Sequence, residues 1–175
     1  SSSSSSSSSL LVDESRIYIV GVSGGGHMAL LLAGVQAASN EFAAISAWAS
    51  IADLQTWWEQ RRERKDNDVR VKTNHHPHKK RHARYAKYAR HIEAACGGPP
   101  SLAQQPNDDD DPAAASAAVE QCRLRSPLTY LSNETTMTTK LDIYAGRHDG
   151  RIGSVPFTHS LRAFRAVAAA AAAAT

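Results

Sequence analysis

The feature that most constrains this chain is an apolar run that stops abruptly in glycine and serine. Arg16 to Val22 (RIYIVGV) is β-branched and aromatic with almost no polar content, as a strand buried on both faces of a parallel sheet should be. It leads into Gly21-Val22-Ser23-Gly24-Gly25. His27 to Ala38 (HMALLLAGVQAA) then carries Met28, Leu31, Leu32 and Val35 at helical spacing, which predicts a buried helix. Phe42 to Trp48 (FAAISAW) is a second strand candidate. Strand, tight turn, helix and strand in that order indicate a right-handed βαβ unit.

The turn of that unit has the GxSxG pattern, and its context is as informative as its letters. A serine hydroxyl is a poor nucleophile unless it is held in a strained turn that a base can reach, and small neighbours let the backbone make that turn. Gly21 and Gly25 are read as those neighbours. The amide of Gly24, the residue after Ser23, supplies half of an oxyanion hole, aided by the helix N-terminus. The competing reading is the phosphate-binding turn of a dinucleotide fold. It fits less well, because the spacing is GxSGGG rather than GxGxxG and no acidic residue ends the next strand. No Gly-Lys-Ser/Thr follows, which excludes a Walker loop. No cofactor is expected.

Elsewhere the chain is organised around its low-complexity segments. A length of 175 residues suits one core rather than two. Residues 1–15 open with nine serines, a run that has no apolar face to bury, and are read as a disordered leader outside the folded unit, 16–175. The alanine run Ala168 to Ala174 extends a final helix opened by Pro156, with Leu161, Phe164 and Val167 as its apolar positions. Between these ends come a short helix at Asp53 to Gln60, a basic lid-like insertion over about 59–95, and within it a helix from Lys79 to Ala95 with Tyr85, Tyr88 and Ile92 on one face. Cys96-Gly97-Gly98-Pro99-Pro100 stops that helix. Residues 101–118, with four consecutive aspartates and alanine clusters, read as a surface loop. Leu141 to Tyr144 is a third strand. Cys96 and Cys122 have no metal-site spacing; they are either a disulfide or two buried thiols. No metal is expected.

At this point the residues resemble a known family. RIYIVGVSGGGHMALLLAG, FAAISAW, IADL, RSPLTYL, LDIYAGRHDG and VPFTHSLRAF look like the catalytic domain of the prolyl oligopeptidase family of α/β-hydrolases. The resemblance implies a partial α/β-hydrolase: a three-layer αβα fold with a mainly parallel sheet, missing its N-terminal strands and its last strand. It also implies a serine hydrolase with Ser, Asp and His in that chain order, acting on peptide or ester bonds; a carboxylesterase is the alternative on the same fold.

Carried over residue by residue, Ser23 matches the nucleophile and Asp149 the acid. An aspartate in a turn past a strand end can orient an imidazole, and the plainer role of the same residue is to cap the turn before Gly150. Asp53 is a weaker candidate acid, and Asp142 within the strand is structural. The family places the histidine about thirty residues beyond the acid, where this sequence has no match. His159 follows Asp149 but falls inside the last helix, so it is read as a helix-face residue and only secondarily as a base. His27 packs beside the Ser23 turn, and His148 adjoins Asp149 and lines that residue's turn. With half the sheet unaccounted for, the expectation is a marginally stable unit needing a missing segment, with little turnover of its own peptide or ester substrate.

Residues 61–93 carry a net charge of +8, leaving −5 for the rest. Cations with His75, His76, His78, His82, Tyr85 and Tyr88 invite a nucleic-acid-binding reading of 61–90. A solvated helix over the hydrolase site is favoured, since no recognised nucleic-acid motif is present. No stretch approaches the roughly 18 apolar residues of a membrane span, so no membrane partner is expected.

Overall fold

The computed structural model describes residues 13–37, 39, 41–70, 78–101, 112–132, 137–150 and 155–174, with backbone alone over 63–70, 78–85 and 112. The three apolar runs pair as parallel strands β1 (Tyr18–Val22), β2 (Ala44–Trp48) and β3 (Lys140–Tyr144), in that order across the sheet. Their register sets Ile19 beside Ile45 and Leu141, and Val22 beside Trp48 and Tyr144. Because side chains alternate along a strand, Ile19, Ile45, Ala47, Leu141 and Ile143 share one face. There they meet Ala29, Leu30 and Ala33 of α1 (Gly24–Val35), Leu131 of α5 (Leu128–Leu131) and Ala163 of α6 (Phe157–Ala173) in one core cluster.

The second face corrects the expectation of a doubly buried strand. Tyr18, Val20 and Val22 are 62%, 71% and 63% exposed. The cause is positional: β1 lies at the edge of the sheet, and the helices packed on the sheet, α1 and α6, both lie on the other face. On the exposed face Trp48 and Tyr144 stack with ring centroids 4.3 Å apart.

α1, α3 and α6 fall on stretches whose pattern predicts helix, but the buried faces of α1 and α6 differ from the pattern. In α1 the buried residues are Gly26, Ala29, Leu30 and Ala33, while Met28 and Val35 point to solvent. In α6 they are His159, Ser160 and Ala163, while Phe164 is exposed. Gly26, Ala29 and Ala33 of α1 and Ala163 of α6 are the small residues among these, and they let a helix approach closely where long side chains would prevent it. α2 (Leu54–Arg70) runs well beyond Gln60, and α3 (His78–Cys96) matches its expectation to one residue at each end. α4 (Pro112–Leu124) begins inside the stretch read as a loop. Its alanines favour helix, and proline is tolerated in the first turn, where its missing N–H is not needed. The four aspartates and His75 and His76 lie outside the described residues.

α2, α3 and α4 build a second core of Leu54, Trp57, Trp58, Ala89, Ile92, Cys96 and Cys122, joined by Ile51 and Val155. The Trp58 indole N–H donates to Glu93 Oε1 at 2.8 Å, so the buried ring leaves its polar end satisfied. The Arg61 guanidinium lies over the Trp57 ring at 5.4 Å. Cys96 and Cys122 form a disulfide with Cα atoms 5.0 Å apart, which resolves the two readings left open by their spacing. Among the described residues no helix is long and apolar enough to cross a membrane.

The disulfide closes a loop of 26 residues. Reduction is expected to remove about 3 to 4 kcal/mol by the loop-entropy relation. Urea unfolding with and without reductant measures this, and coincident transitions would contradict it.

Candidate active site

The passage from β1 to α1 is made by a single residue. Ser23 has φ 56° and ψ −114°, a conformation that costs a side-chain-bearing residue about 1 to 3 kcal/mol. Its amide donates to the Trp48 carbonyl at 2.9 Å, and its carbonyl accepts from the His27 amide at 2.9 Å. The turn is thereby tied both to the exit of β2 and to the first turn of α1. Among the described residues only one other non-glycine has positive φ: Ala49, at 46°, immediately after β2, its amide donating to the Tyr144 carbonyl at 2.8 Å. Strain is concentrated at the carboxyl edge of the sheet, where strands β1 and β2 end side by side.

Two glycines make the turn possible. A Cβ on Gly21 would lie 2.1 Å from the Gly25 carbonyl oxygen, and one on Gly26 would lie 2.7 Å from the Trp48 carbonyl and 2.6 Å from Ser50 Oγ. Gly25 itself faces open space, as does Gly24. The close neighbours are therefore Gly21 and Gly26, not Gly21 and Gly25 as the motif suggests; Gly25 contributes its carbonyl to the contact and not the absence of a side chain. Gly26, Ser50 and Ala49 were missed by the sequence reading. The third glycine of GxSGGG was the available signal for Gly26, while nothing local marks Ser50 or Ala49.

Asp149 lies in the turn after β3, at the same edge of the parallel sheet as Ser23. Its Oδ2 accepts from the Gly146 amide at 2.8 Å, and its own amide donates to the Gly146 carbonyl at 2.9 Å. Its carbonyl accepts from the Phe157 amide at 3.2 Å, which joins the turn to the start of α6. The turn-capping role is thus present. Among the described residues no histidine is bonded to this carboxylate.

The histidines are engaged elsewhere. His159 is fully buried. Its Nδ1 accepts from the Ala52 amide at 3.4 Å and its Nε2 donates to Gln60 Oε1 at 3.3 Å, a consistent neutral tautomer. Burial pushes its pKa down to about 4, reinforced by Arg162, Arg61 and His27 and opposed by Asp53. His27 donates from Nδ1 to the Ile51 carbonyl at 3.0 Å, and burial lowers its pKa against the pull of the Ile51 and Arg125 carbonyls. His148 is exposed beside Asp149.

The two other aspartates weighed from the sequence, Asp53 and Asp142, make local contacts. Asp53 accepts from the Thr56 amide at 3.0 Å and its hydroxyl at 3.1 Å, capping α2, and pairs with Arg162 at 3.0 Å. Asp142 pairs with Lys140 at 3.3 Å. Among the described residues no group of three or more His, Cys, Asp or Glu side chains is arranged to hold a metal ion.

Residues 4–119 match the prolyl oligopeptidase family. The match contains Ser23 and Gly24 with the elements on either side of them; Asp149 and His159 lie beyond it. Neither a curated protein nor a solved structure matches the chain significantly.

The tight contacts separate glycines of identical type. Gly21→Ala and Gly26→Ala are each expected to destabilise by about 3 kcal/mol, since backbone atoms must shift. Gly24→Ala and Gly25→Ala are expected to be neutral or to gain up to about 1 kcal/mol from helix propensity. Ser23→Gly is expected to stabilise by about 1 kcal/mol through relief of strain. Urea midpoints of the five variants decide; equal losses at all four glycines would contradict the assignment.

Proposed function

This chain belongs to the prolyl oligopeptidase family, and on that premise we propose that it is the nucleophile-bearing part of a serine hydrolase that cleaves peptide or ester bonds through an acyl-enzyme on Ser23. The observation that carries the reading is the positive φ of Ser23 between the end of β1 and the N-terminus of α1. Strain of that kind persists only where the surroundings over-determine it, and here they do, through Gly21, Gly26 and the bond to Trp48.

In the proposed reaction Ser23 Oγ attacks the acyl carbon while its proton passes to a base, and the carbonyl oxygen becomes an oxyanion. The Gly24 amide, in the first turn of α1, donates to that oxygen. The bond to the leaving amine or alcohol breaks as the base returns the proton, and water releases the acyl group by the same steps reversed. Asp149 has the role of orienting the base. Its bonds to Gly146 and Phe157 support this by holding the turn rigid at the sheet edge. His159 is not assigned as base, because both ring nitrogens are occupied within the core. His27 is likewise committed to Ile51.

General base catalysis is worth about 10²- to 10⁴-fold, so ester turnover by the chain alone is expected to be slower by that order than in a site with its imidazole in place. Fluorophosphonate labelling followed by intact mass tests the nucleophile. The expected result is one slow adduct on Ser23, absent in Ser23→Ala and retained in His159→Gln. A folded chain that takes up no adduct, or an adduct that survives Ser23→Ala, would remove Ser23 from the mechanism. Loss of labelling in a folded His159→Gln would make His159 the base after all.

A further inference from the structure

The segment leaving β2, residues 49–53, backs directly onto the Ser23 turn, and two histidines from different helices grip it. Trp48 accepts from the Ser23 amide, and Ser50 sits against Gly26. From α1, His27 donates to the Ile51 carbonyl at 3.0 Å. From α6, His159 accepts from the Ala52 amide at 3.4 Å. Ser50 and Ala52 are fully buried and Ile51 nearly so, which leaves the Ala52 amide without access to water as a replacement partner.

The two grips respond differently to a proton. A protonated His27 still donates from Nδ1 to a carbonyl. A protonated His159 carries hydrogen on both nitrogens and can accept from neither side, so the Ala52 N–H would face another N–H in a closed core. We propose that His159 is an acid-released latch: neutral, it holds the 49–53 segment against the back of the nucleophile turn, and protonated, it lets that segment go.

The charges facing His159 favour release over accommodation. Arg162 of α6, Arg61 of α2 and His27 of α1 repel a cation there, and Asp53 alone attracts one. Asp53 is already engaged by Arg162 and Thr56, so it has limited capacity to compensate. The direction follows from the held-neutral state. The latched form binds its proton only near pH 4, and the released form binds it near the ordinary 6.5. Latching is therefore complete above pH 6.5 and weakens progressively as pH falls toward 4. A difference of that size corresponds to about 300-fold in the latching equilibrium.

This inference is independent of whether Ser23 is catalytically active, because it is read from the backbone. Amide hydrogen exchange of residues 49–53, corrected for the intrinsic pH dependence of exchange, is measured from pH 7.5 to pH 4 in the full chain. Protection is expected to fall by up to about 300-fold over that range in wild type and to stay level in His159→Gln, whose amide oxygen accepts at any pH. His27→Gln should keep a pH-dependent loss of protection, shallower than wild type because the repulsion of His27 at His159 and its own titration are gone. Wild-type protection that does not change with pH, or an unchanged slope in His159→Gln, would overturn the proposal. Should His159→Gln fail to fold, ¹⁵N shifts of the His159 ring in wild type decide instead. An Nε2–H tautomer that is lost in step with protection supports the latch, and an Nδ1–H tautomer at neutral pH refutes it.

Discussion

The backbone contact of Gly21 with Gly25, together with the seating of Gly26 against Trp48 and Ser50, holds a helix closer to its own sheet than any side chain would allow. The rest of the candidate site depends on that closeness. It forces the chain to turn within one residue, which puts Ser23 at positive φ and sends its amide to the Trp48 carbonyl. The same approach explains why small residues line the buried face of α1. The strain at Ser23 and Ala49 is held by hydrogen bonds to the neighbouring strand in each case, so the stress is carried by the sheet and not by the turn alone.

Behind this edge the molecule is built from two cores joined by a polar seam. One core lies between sheet and helices, and the other lies among α2, α3 and α4 around the disulfide. The seam is made by Asp53, Thr56 and Gln60 on one side and His159 and Arg162 on the other. It ties α6 to α2. Through the Phe157 amide it also steadies the turn carrying Asp149. His159 is the buried member and the others are half-buried; such networks contribute when all are satisfied and become costly when one partner is lost.

Much of the fold was legible because it rests on local signals. The apolar runs ending at Val22, Trp48 and Tyr144 form the three strands of the described residues, and Gly97 with Pro99 and Pro100 follows the end of α3. Ser23 and Gly24 were legible from a motif of adjacent residues. Two readings failed for one reason. The exposure of Tyr18, Val20 and Val22, and the choice of Ala29 and Ala163 over Met28 and Phe164 as inward residues, depend on what packs against each face. Apolar periodicity reports that a face exists and does not report how close its neighbour stands. The helix at Pro112 was hidden for a different reason, since alanine clusters favour helix yet carry little apolar contrast.

What the sequence determined by itself was the order of the three described strands with the helix between the first two, the family, and a serine at a strand-to-helix turn, because each is encoded in residues near one another along the chain. Only the tertiary structure decided that Gly26 is the second tight glycine, that Cys96 meets Cys122, and that His159 is spent on Ala52 and Gln60. These outcomes join residues far apart in the chain. His159 and Ala52 are 107 positions apart, and whether a histidine serves as base or as buried acceptor depends on which atoms the folded chain brings to its ring nitrogens.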